Sequence, residues 1–177
     1  MITLHNSRGK VIGTGSGMII GKDGYILTNF HVAGGARSFS VQLENDDTVY
    51  RTSELIKYHP SLDLAILRID RQQLSPMKLY SGRRELCRGQ RVVAIGSPLG
   101  LFNTVSDGII SGFREINGVD MIQFTAPISG GSSGGALLNM YGEVIGISTA
   151  GFSKGQNLNL AVGYKDIIPF ISNFTDK

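Results

Sequence analysis

The amino-acid sequence is poor in cysteine and in long apolar runs. A single cysteine, Cys87, among 177 residues excludes an internal disulfide framework and a cysteine-rich metal site. No stretch approaches the ~18 apolar residues that a membrane-spanning helix needs, so no membrane segment is expected in this chain. The first six residues also lack the basic and then apolar pattern of a signal peptide. These absences indicate an ordinary folded domain and leave its compartment unassigned.

Charge of either sign is sparse, since 17 Lys and Arg stand against 14 Asp and Glu for a net charge of +3. The dense basic cluster of Arg83, Arg84, Arg88 and Arg91 comes without a nucleic-acid-binding motif or interleaved aromatic residues. We interpret it as a solvated face and expect no nucleic-acid partner. Histidine and cysteine are too few and scattered for zinc, and no acidic spacing matches a calcium loop. Neither a metal nor a cofactor is therefore expected.

Glycine, by contrast, is abundant, with 24 residues that separate short apolar or alternating segments. Short strands divided by turns are typical of an all-β sandwich or barrel. The length fits one domain at roughly 150 residues per domain, and a polar interruption after Ile69 divides it into two lobes, about 1–80 and 81–163. The predicted strands lie at 15–20, 25–28, 38–43, 49–57, 64–69, 91–95, 104–113, 121–124, 136–138, 144–148 and 158–162.

Helical periodicity is clear near the C-terminal end, where apolar residues recur on one face of a short segment. This pattern predicts a helix over about 165–175, with Pro169 in its first turn, where proline is tolerated. The apolar face consists of Ile167, Ile168, Phe170, Ile171 and Phe174.

Acyl-transfer chemistry requires a nucleophile, a base that accepts its proton, and a carboxylate that orients the base. Of the three histidines, His5 is expected to lie in a frayed start, His59 precedes Pro60 in a turn, and His31 ends a predicted strand. His31 is thus placed as a catalytic base would be, although a histidine at a strand end is more often structural. Asp63 precedes an apolar strand, where a buried carboxylate needs a donor such as an imidazole N–H. It fits the cap of a local turn equally well.

Ser133 lies in a glycine-rich segment, 129–135, that is flanked by apolar strand residues. Glycines on both sides allow a serine hydroxyl to be exposed and backbone N–H groups to point at an oxyanion. If Ser133 is the nucleophile, the N–H groups of Gly131 and Ser133 are placed to form the oxyanion hole. A flexible Gly/Ser turn is the alternative. A second glycine-rich segment, 13–17, lacks the full dinucleotide-binding spacing and precedes a strand, so no nucleotide site is expected there.

Several segments resemble the signature blocks of the HtrA/DegP group of chymotrypsin-like serine proteases. Their order, with His31 first, Asp63 second and Ser133 third, is that of the chymotrypsin class. The similarity spans about residues 13–162. The segments are Thr28–Val32, Ser61–Leu67, Ile95–Gly100, Thr104–Ser111, Gly131–Leu137 and Val144–Thr149.

The resemblance implies a fold of two six-stranded antiparallel β-barrels, with the active site in the cleft between them. It implies a serine endopeptidase that acts on polypeptide substrates, with His31, Asp63 and Ser133 as the triad and Gly131 contributing to the oxyanion hole. It also suggests a location outside the cytoplasm and a trimer. No aromatic residue precedes Tyr25 to support the family's trimer-forming segment, and no family-type PDZ module fits after the predicted helix.

Two departures from the family pattern flank the nucleophile: Ser132 replaces a common Asn, and Ala136 replaces a frequent Pro. Digestive relatives carry an Asp at the position of Ser132 that pairs with a newly cut N-terminus, so activation by such processing is not expected here. Formation of the oxyanion hole is instead expected to depend on loops near 102–103, 115–119 and 151–157, which makes a latent resting state an expectation. The competing hypothesis is a protease-shaped module that binds unfolded segments without cleaving them.

The substrate pocket of this fold is expected near 127–130, 149–151 and 159–161, and none of these segments carries a carboxylate. A buried Arg or Lys of the substrate would lack a counter-charge there, so cleavage after small or medium aliphatic residues is expected. The substrate would add as a strand along 149–151. The predicted substrate-binding residues are Ile128, Thr149, Ala150, Gly151 and Leu160.

Overall fold

The computed structural model describes residues 1–149 and 159–176. In these ranges the first lobe consists of eight strands, which pair into two four-stranded sheets of order β2-β1-β5-β6 and β3-β4-β8-β7. The strands are β1 (Ile2–His5), β2 (Val11–Gly15), β3 (Met18–Ile19), β4 (Tyr25–Thr28), β5 (Ser38–Gln42), β6 (Val49–Thr52), β7 (Leu55–His59) and β8 (Leu64–Arg68).

The second lobe is a closed barrel of six antiparallel strands in the order β10-β11-β14-β13-β12-β9. Its strands are β9 (Arg91–Gly96), β10 (Thr104–Ile116), β11 (Val119–Phe124), β12 (Ala136–Leu138), β13 (Val144–Thr149) and β14 (Asn159–Gly163). The expected all-β architecture is therefore observed, with full closure of the hydrogen-bond ladder in the second lobe.

The predicted strand over 15–20 is divided at Ser16 and Gly17. The Ser16 N–H donates to the Ser133 carbonyl in the other lobe, at 2.9 Å, instead of continuing the ladder. A Cβ at Gly15 would overlap Val32, and a Cβ at Gly17 would lie within 2.9 Å of Ile2. The glycines of this segment thus allow close packing, which explains them without a nucleotide site.

Two histidine placements differ from the sequence expectation. His31 lies within a short helix, α1 (Phe30–Ala33), rather than at a strand end. His5 belongs to β1, and its Nε2 lies 2.8 Å from the Ser40 hydroxyl. Both differences have the same cause. Hydrogen bonds to residues distant in sequence hold these segments in place, and the periodicity of the sequence contains no information on such bonds.

An apolar cluster joins the two lobes. It combines β3, β4 and β8 with β11 to β14, and it includes Leu27 and Leu64 from the first lobe and Ile147 from the second. The C-terminal helix α2 (Tyr164–Ile171) packs its buried Ile167 and other apolar residues into the same cluster. Separate clusters fill the barrel of the second lobe and the interior of the first.

Helix α2 begins at Tyr164, so Pro169 lies in its second turn and not in the first, as predicted. Tyr164 packs edge-on against Tyr80, with ring centroids 4.9 Å apart, which anchors the start of the helix. No helix in 1–149 or 159–176 is both long and apolar enough to cross a membrane. The four arginines of the basic cluster are exposed, in agreement with a solvated face, and Arg91 pairs with Asp107 at 3.2 Å.

Candidate active site

His31 and Asp63 form a close hydrogen-bonded pair at the boundary of the first lobe. The His31 Nδ1 lies 2.6 Å from Asp63 Oδ2, and the His31 backbone N–H donates to Oδ1 at 2.8 Å. The His31 side chain is 40% exposed, whereas the Asp63 side chain is 12% exposed. The carboxylate is therefore shielded, and the imidazole stays accessible at its other edge.

A third donor completes the environment of the Asp63 carboxylate. The Thr149 hydroxyl, on the last residue of β13, donates to Oδ2 at 2.8 Å. Such donors compensate a buried carboxylate for its lost hydration. The Asp63 carbonyl also accepts hydrogen bonds from Asn29 Nδ2 at 3.0 Å and from the Phe30 N–H at 3.1 Å. These contacts fix Asp63 against the start of α1, and with it the orientation of His31.

The segment around Ser133 crosses from one lobe toward the other. The Gly134 N–H donates to the Ser148 carbonyl at 2.9 Å, and Ser148 precedes the Thr149 that contacts Asp63. On the opposite side the Ser16 N–H donates to the Ser133 carbonyl. The structure thus brings the loop of Ser133 to the same cleft as the pair of His31 and Asp63.

Glycine is required at two positions of this loop. Gly131 and Gly134 adopt φ angles of +91° and +89°, which L side chains rarely adopt. A Cβ at Gly131 would also lie 2.7 Å from the Ser97 carbonyl oxygen, and one at Gly134 would overlap the Ser16 carbonyl oxygen. The Gly/Ser segment is accordingly an ordered loop with defined contacts on both sides.

Local hydrogen bonds stabilise the turn before Ser133. The Ser132 N–H donates to the Ser129 carbonyl at 2.9 Å, and the Ser129 N–H donates to the Ser132 hydroxyl at 3.2 Å. The Leu99 N–H donates to the Gly130 carbonyl at 2.6 Å. Leu99 belongs to a 3-10 turn, Pro98–Gly100, that follows β9. The Ser132 hydroxyl thus stabilises the turn through a contact within it.

The predicted substrate-binding residues have different surroundings. Ile128 is half-buried beside a small cavity of about 20 Å³ that Ser132 and Ser148 also line. The Thr149 side chain points at Asp63, so a contact with substrate is left to its backbone. Leu160 is packed in the apolar cluster between the lobes, and its role as a pocket wall stays a prediction. Ala150 and Gly151 lie outside the described residues.

Sequence reasoning missed the side-chain role of Thr149 and any role for Ser16. The hydroxyl of Ser16 accepts from the Ser97 N–H and donates to the Gly131 carbonyl, both at 2.7 Å. A hydroxyl residue between two glycines, next to apolar strand residues, was the signal available for Ser16. No local signal distinguishes Thr149 from the other residues of its strand.

The sequence has counterparts among known proteins. A family model described as a trypsin-like peptidase domain matches residues 15–147. A probable periplasmic serine endoprotease, DegP-like, from Pseudomonas fluorescens is 43% identical over 144 residues, which cover 79% of this chain and 30% of the relative. The chain spans between 30% and 40% of the length of the curated relatives that it matches.

The fold has counterparts among solved structures. A crystal structure of the serine endoprotease from Yersinia pestis superposes with a TM-score of 0.84 at 33% identity, covering 97% of this chain and 61% of that one. A structure of the HtrA-type protease AlgW with a decapeptide gives a TM-score of 0.80 at 35% identity, covering 93% of this chain and 53% of that one.

Proposed function

Because this chain belongs to the trypsin-like peptidase family, and within it to the HtrA/DegP group of serine proteases, we propose that it is a serine endopeptidase with Ser133 as nucleophile. The observation that carries the proposal is the 2.6 Å hydrogen bond between His31 Nδ1 and Asp63 Oδ2. A carboxylate in this position fixes the tautomer in which Nδ1 carries the proton and Nε2 is a free base. It also stabilises the imidazolium that forms during turnover.

The proposed reaction follows from these positions. The Ser133 Oγ attacks the peptide carbonyl carbon while its proton passes to His31 Nε2. The carbonyl oxygen becomes negative and is held by the N–H groups of Gly131 and Ser133. His31 then donates its proton to the leaving amine, and the C–N bond breaks to leave an acyl-enzyme. A water molecule activated by His31 hydrolyses the ester and restores Ser133.

For specificity, we infer cleavage after small or medium aliphatic residues in extended polypeptide segments. The support is the chemistry around Ile128, since the described residues that line the small cavity beside it contribute no carboxylate. A buried Lys or Arg of the substrate would be desolvated there without a counter-charge. A location outside the cytoplasm and a trimeric assembly stay predictions from the family.

The decisive experiment is the intact mass of the purified protein after reaction with a serine-directed phosphonate. We expect one stoichiometric adduct, absent in Ser133→Ala, because phosphonylation needs an activated hydroxyl and a formed oxyanion hole. No adduct, together with stoichiometric binding of an aliphatic peptide, would support the non-cleaving peptide-binding module instead. An adduct that persists in Ser133→Ala would contradict Ser133 as the nucleophile.

Turnover of an aliphatic peptide should also be lost in His31→Ala, because no base then accepts the Ser133 proton. Initial rates with this peptide measure the loss, and a basic peptide of equal length serves as the specificity control. Wild-type rates in His31→Ala would argue against His31 as the base.

A further inference from the structure

Ser16 is a buried hydroxyl residue that links the two lobes, with 2% of its surface exposed. Its Oγ accepts a hydrogen bond from the Ser97 N–H at 2.7 Å and donates one to the Gly131 carbonyl at 2.7 Å. Hydrogen bonds in such a chain polarise and strengthen one another at low local dielectric. A side chain without a hydroxyl would leave the Ser97 N–H without this acceptor and the Gly131 carbonyl without this donor.

The backbone of Ser16 contacts the same loop. Its N–H donates to the Ser133 carbonyl at 2.9 Å, and its carbonyl accepts from the Thr28 hydroxyl at 2.7 Å. Ser16 thus holds the carbonyl groups of Gly131 and Ser133, the two residues whose N–H groups are proposed to bind the oxyanion. No other described residue donates to both carbonyls.

The Gly130–Gly131 peptide is held from the other side by Leu99. The Leu99 N–H donates to the Gly130 carbonyl at 2.6 Å. Because the C=O and N–H of a planar trans peptide point in opposite directions, this bond turns the Gly131 N–H away from Leu99. Ser97, two residues before Leu99, is the residue that donates to the Ser16 hydroxyl. Together with the bond from the Ser16 hydroxyl to the Gly131 carbonyl, these hydrogen bonds close a ring around the two peptides that follow Gly130.

The ring holds backbone conformations that have little stability of their own. Leu99 has a φ of +53°, which is sterically unfavourable for leucine, and the residue is 78% exposed. Burial of its side chain therefore does not maintain this conformation. Strained residues persist only where the surroundings determine their conformation. The bonds from Ser97 to Ser16 and from Leu99 to Gly130 provide those surroundings.

We propose that the Ser16 hydroxyl is a positioning residue for the oxyanion hole. It holds the Gly131 carbonyl, in the Gly131–Ser132 peptide, while the Leu99 N–H holds the preceding Gly130–Gly131 peptide, and together they direct the Gly131 N–H into the cleft. The inference rests on the proposed function of Ser133 and Gly131. It explains why a hydroxyl residue stands between Gly15 and Gly17, at a point where neighbouring positions have no room for a Cβ.

The test compares Ser16→Ala with a matched control, Ser40→Ala. Ser40→Ala also removes a partly buried hydroxyl contact, in this case with His5. Ser40 lies in the first lobe, away from the loop of Ser133. We expect Ser16→Ala to lower kcat about tenfold or more, with KM within about twofold, because the oxyanion is bound in the transition state and not in the ground state. Ser40→Ala should keep the kcat of the wild type.

A peptide aldehyde provides a readout that a purely structural role would not change. Its adduct with Ser133 carries the oxyanion, so its affinity should fall by about the same factor as kcat/KM in Ser16→Ala. The affinity of the corresponding product peptide should stay constant. The proposal would be overturned if kcat fell only in proportion to the fraction of Ser16→Ala that is folded, and if the folded enzyme kept its affinity for the aldehyde.

A second variant covers the case in which Ser16→Ala fails to fold. Ser16→Cys has a similar size but a weak S–H donor, and it should lower kcat and aldehyde affinity together. Wild-type values of both in Ser16→Cys, with Ser133 still labelled by the phosphonate, would overturn the role of Ser16. If the wild-type protein itself gives no adduct, the proposed function of Ser133 fails, independently of Ser16.

Discussion

At the scale of single residues, Asp63 is held by hydrogen bonds to both its main chain and its side chain. Its φ of +55° is a conformation that Asp adopts more readily than most residues. This backbone geometry lets the carbonyl accept from Asn29 and Phe30 while the carboxylate accepts from His31 and Thr149. Main chain and side chain of one residue thus orient the imidazole from two directions.

The Thr149 hydroxyl should contribute to stability through this carboxylate. We expect Thr149→Val to lower the free energy of unfolding by roughly 1–3 kcal/mol, because a hydrogen bond to a shielded charged group is removed without loss of volume. Urea denaturation at neutral pH measures the change. Thr149→Ser keeps the hydroxyl and is the control, and an equal loss in both variants would argue against the hydrogen bond as the cause.

At the scale of elements, the loop between β11 and β12 has a conformation set by contacts at its glycines. Gly134 has a φ of +89°. The space that a Cβ would take at this position is occupied by the Ser16 carbonyl oxygen and the Thr28 hydroxyl. Gly130, four residues earlier, has no heavy atom of the described residues within 4 Å of its Cβ position, and its φ is not positive. The same substitution is therefore expected to destabilise the protein strongly at Gly134 and to have little effect at Gly130.

Gly134→Ala should lower the free energy of unfolding by about 3 kcal/mol or more, because strain and overlap with backbone atoms add. Gly130→Ala should change it by less than about 1 kcal/mol. Thermal unfolding of both variants followed by circular dichroism makes the comparison. Similar melting temperatures for the two variants would contradict the prediction, because they would mean that neighbouring residues move to make room for the added methyl group at Gly134.

At the scale of the whole molecule, the cluster shared by both lobes makes their folding interdependent. Leu27, fully buried in β4, packs into a cluster whose members come from β11 to β14 and from α2 as well as from the first lobe. The hydrogen bonds of Ser16 and Thr149 also cross between the lobes. A lobe that unfolded alone would expose this apolar surface and break those bonds.

We therefore expect one cooperative unfolding transition, shifted as a whole by Leu27→Ala. Removal of buried methyl groups should cost about 2–5 kcal/mol, whereas the control Val11→Ala, at a half-exposed position, should cost less than about 1 kcal/mol. Far-ultraviolet circular dichroism and tyrosine fluorescence can follow both. Two separated transitions, of which Leu27→Ala shifts one, would contradict the shared core.

The all-β fold was predictable because alternation of apolar residues and the positions of turns are local properties of the chain. The strands around Leu27, Val93 and Ile122 lie where the pattern predicted them. The family could be assigned because the segments around His31, Asp63 and Ser133 carry distinctive residues in a fixed order. The strand break at Ser16 and the placement of His31 in α1 could not be predicted, because both depend on contacts with distant segments.

The sequence by itself determined the fold class, the family and the identity of the residues proposed to carry the chemistry, since these follow from local pattern and residue type. The tertiary structure alone decided which groups hold those residues in place. Thr149 contacts Asp63 across 86 positions of sequence, and Ser16 contacts Gly131 across 115. Hydrogen bonds over such separations form only when the two lobes pack together, so periodicity and spacing along the chain contain no signal of them.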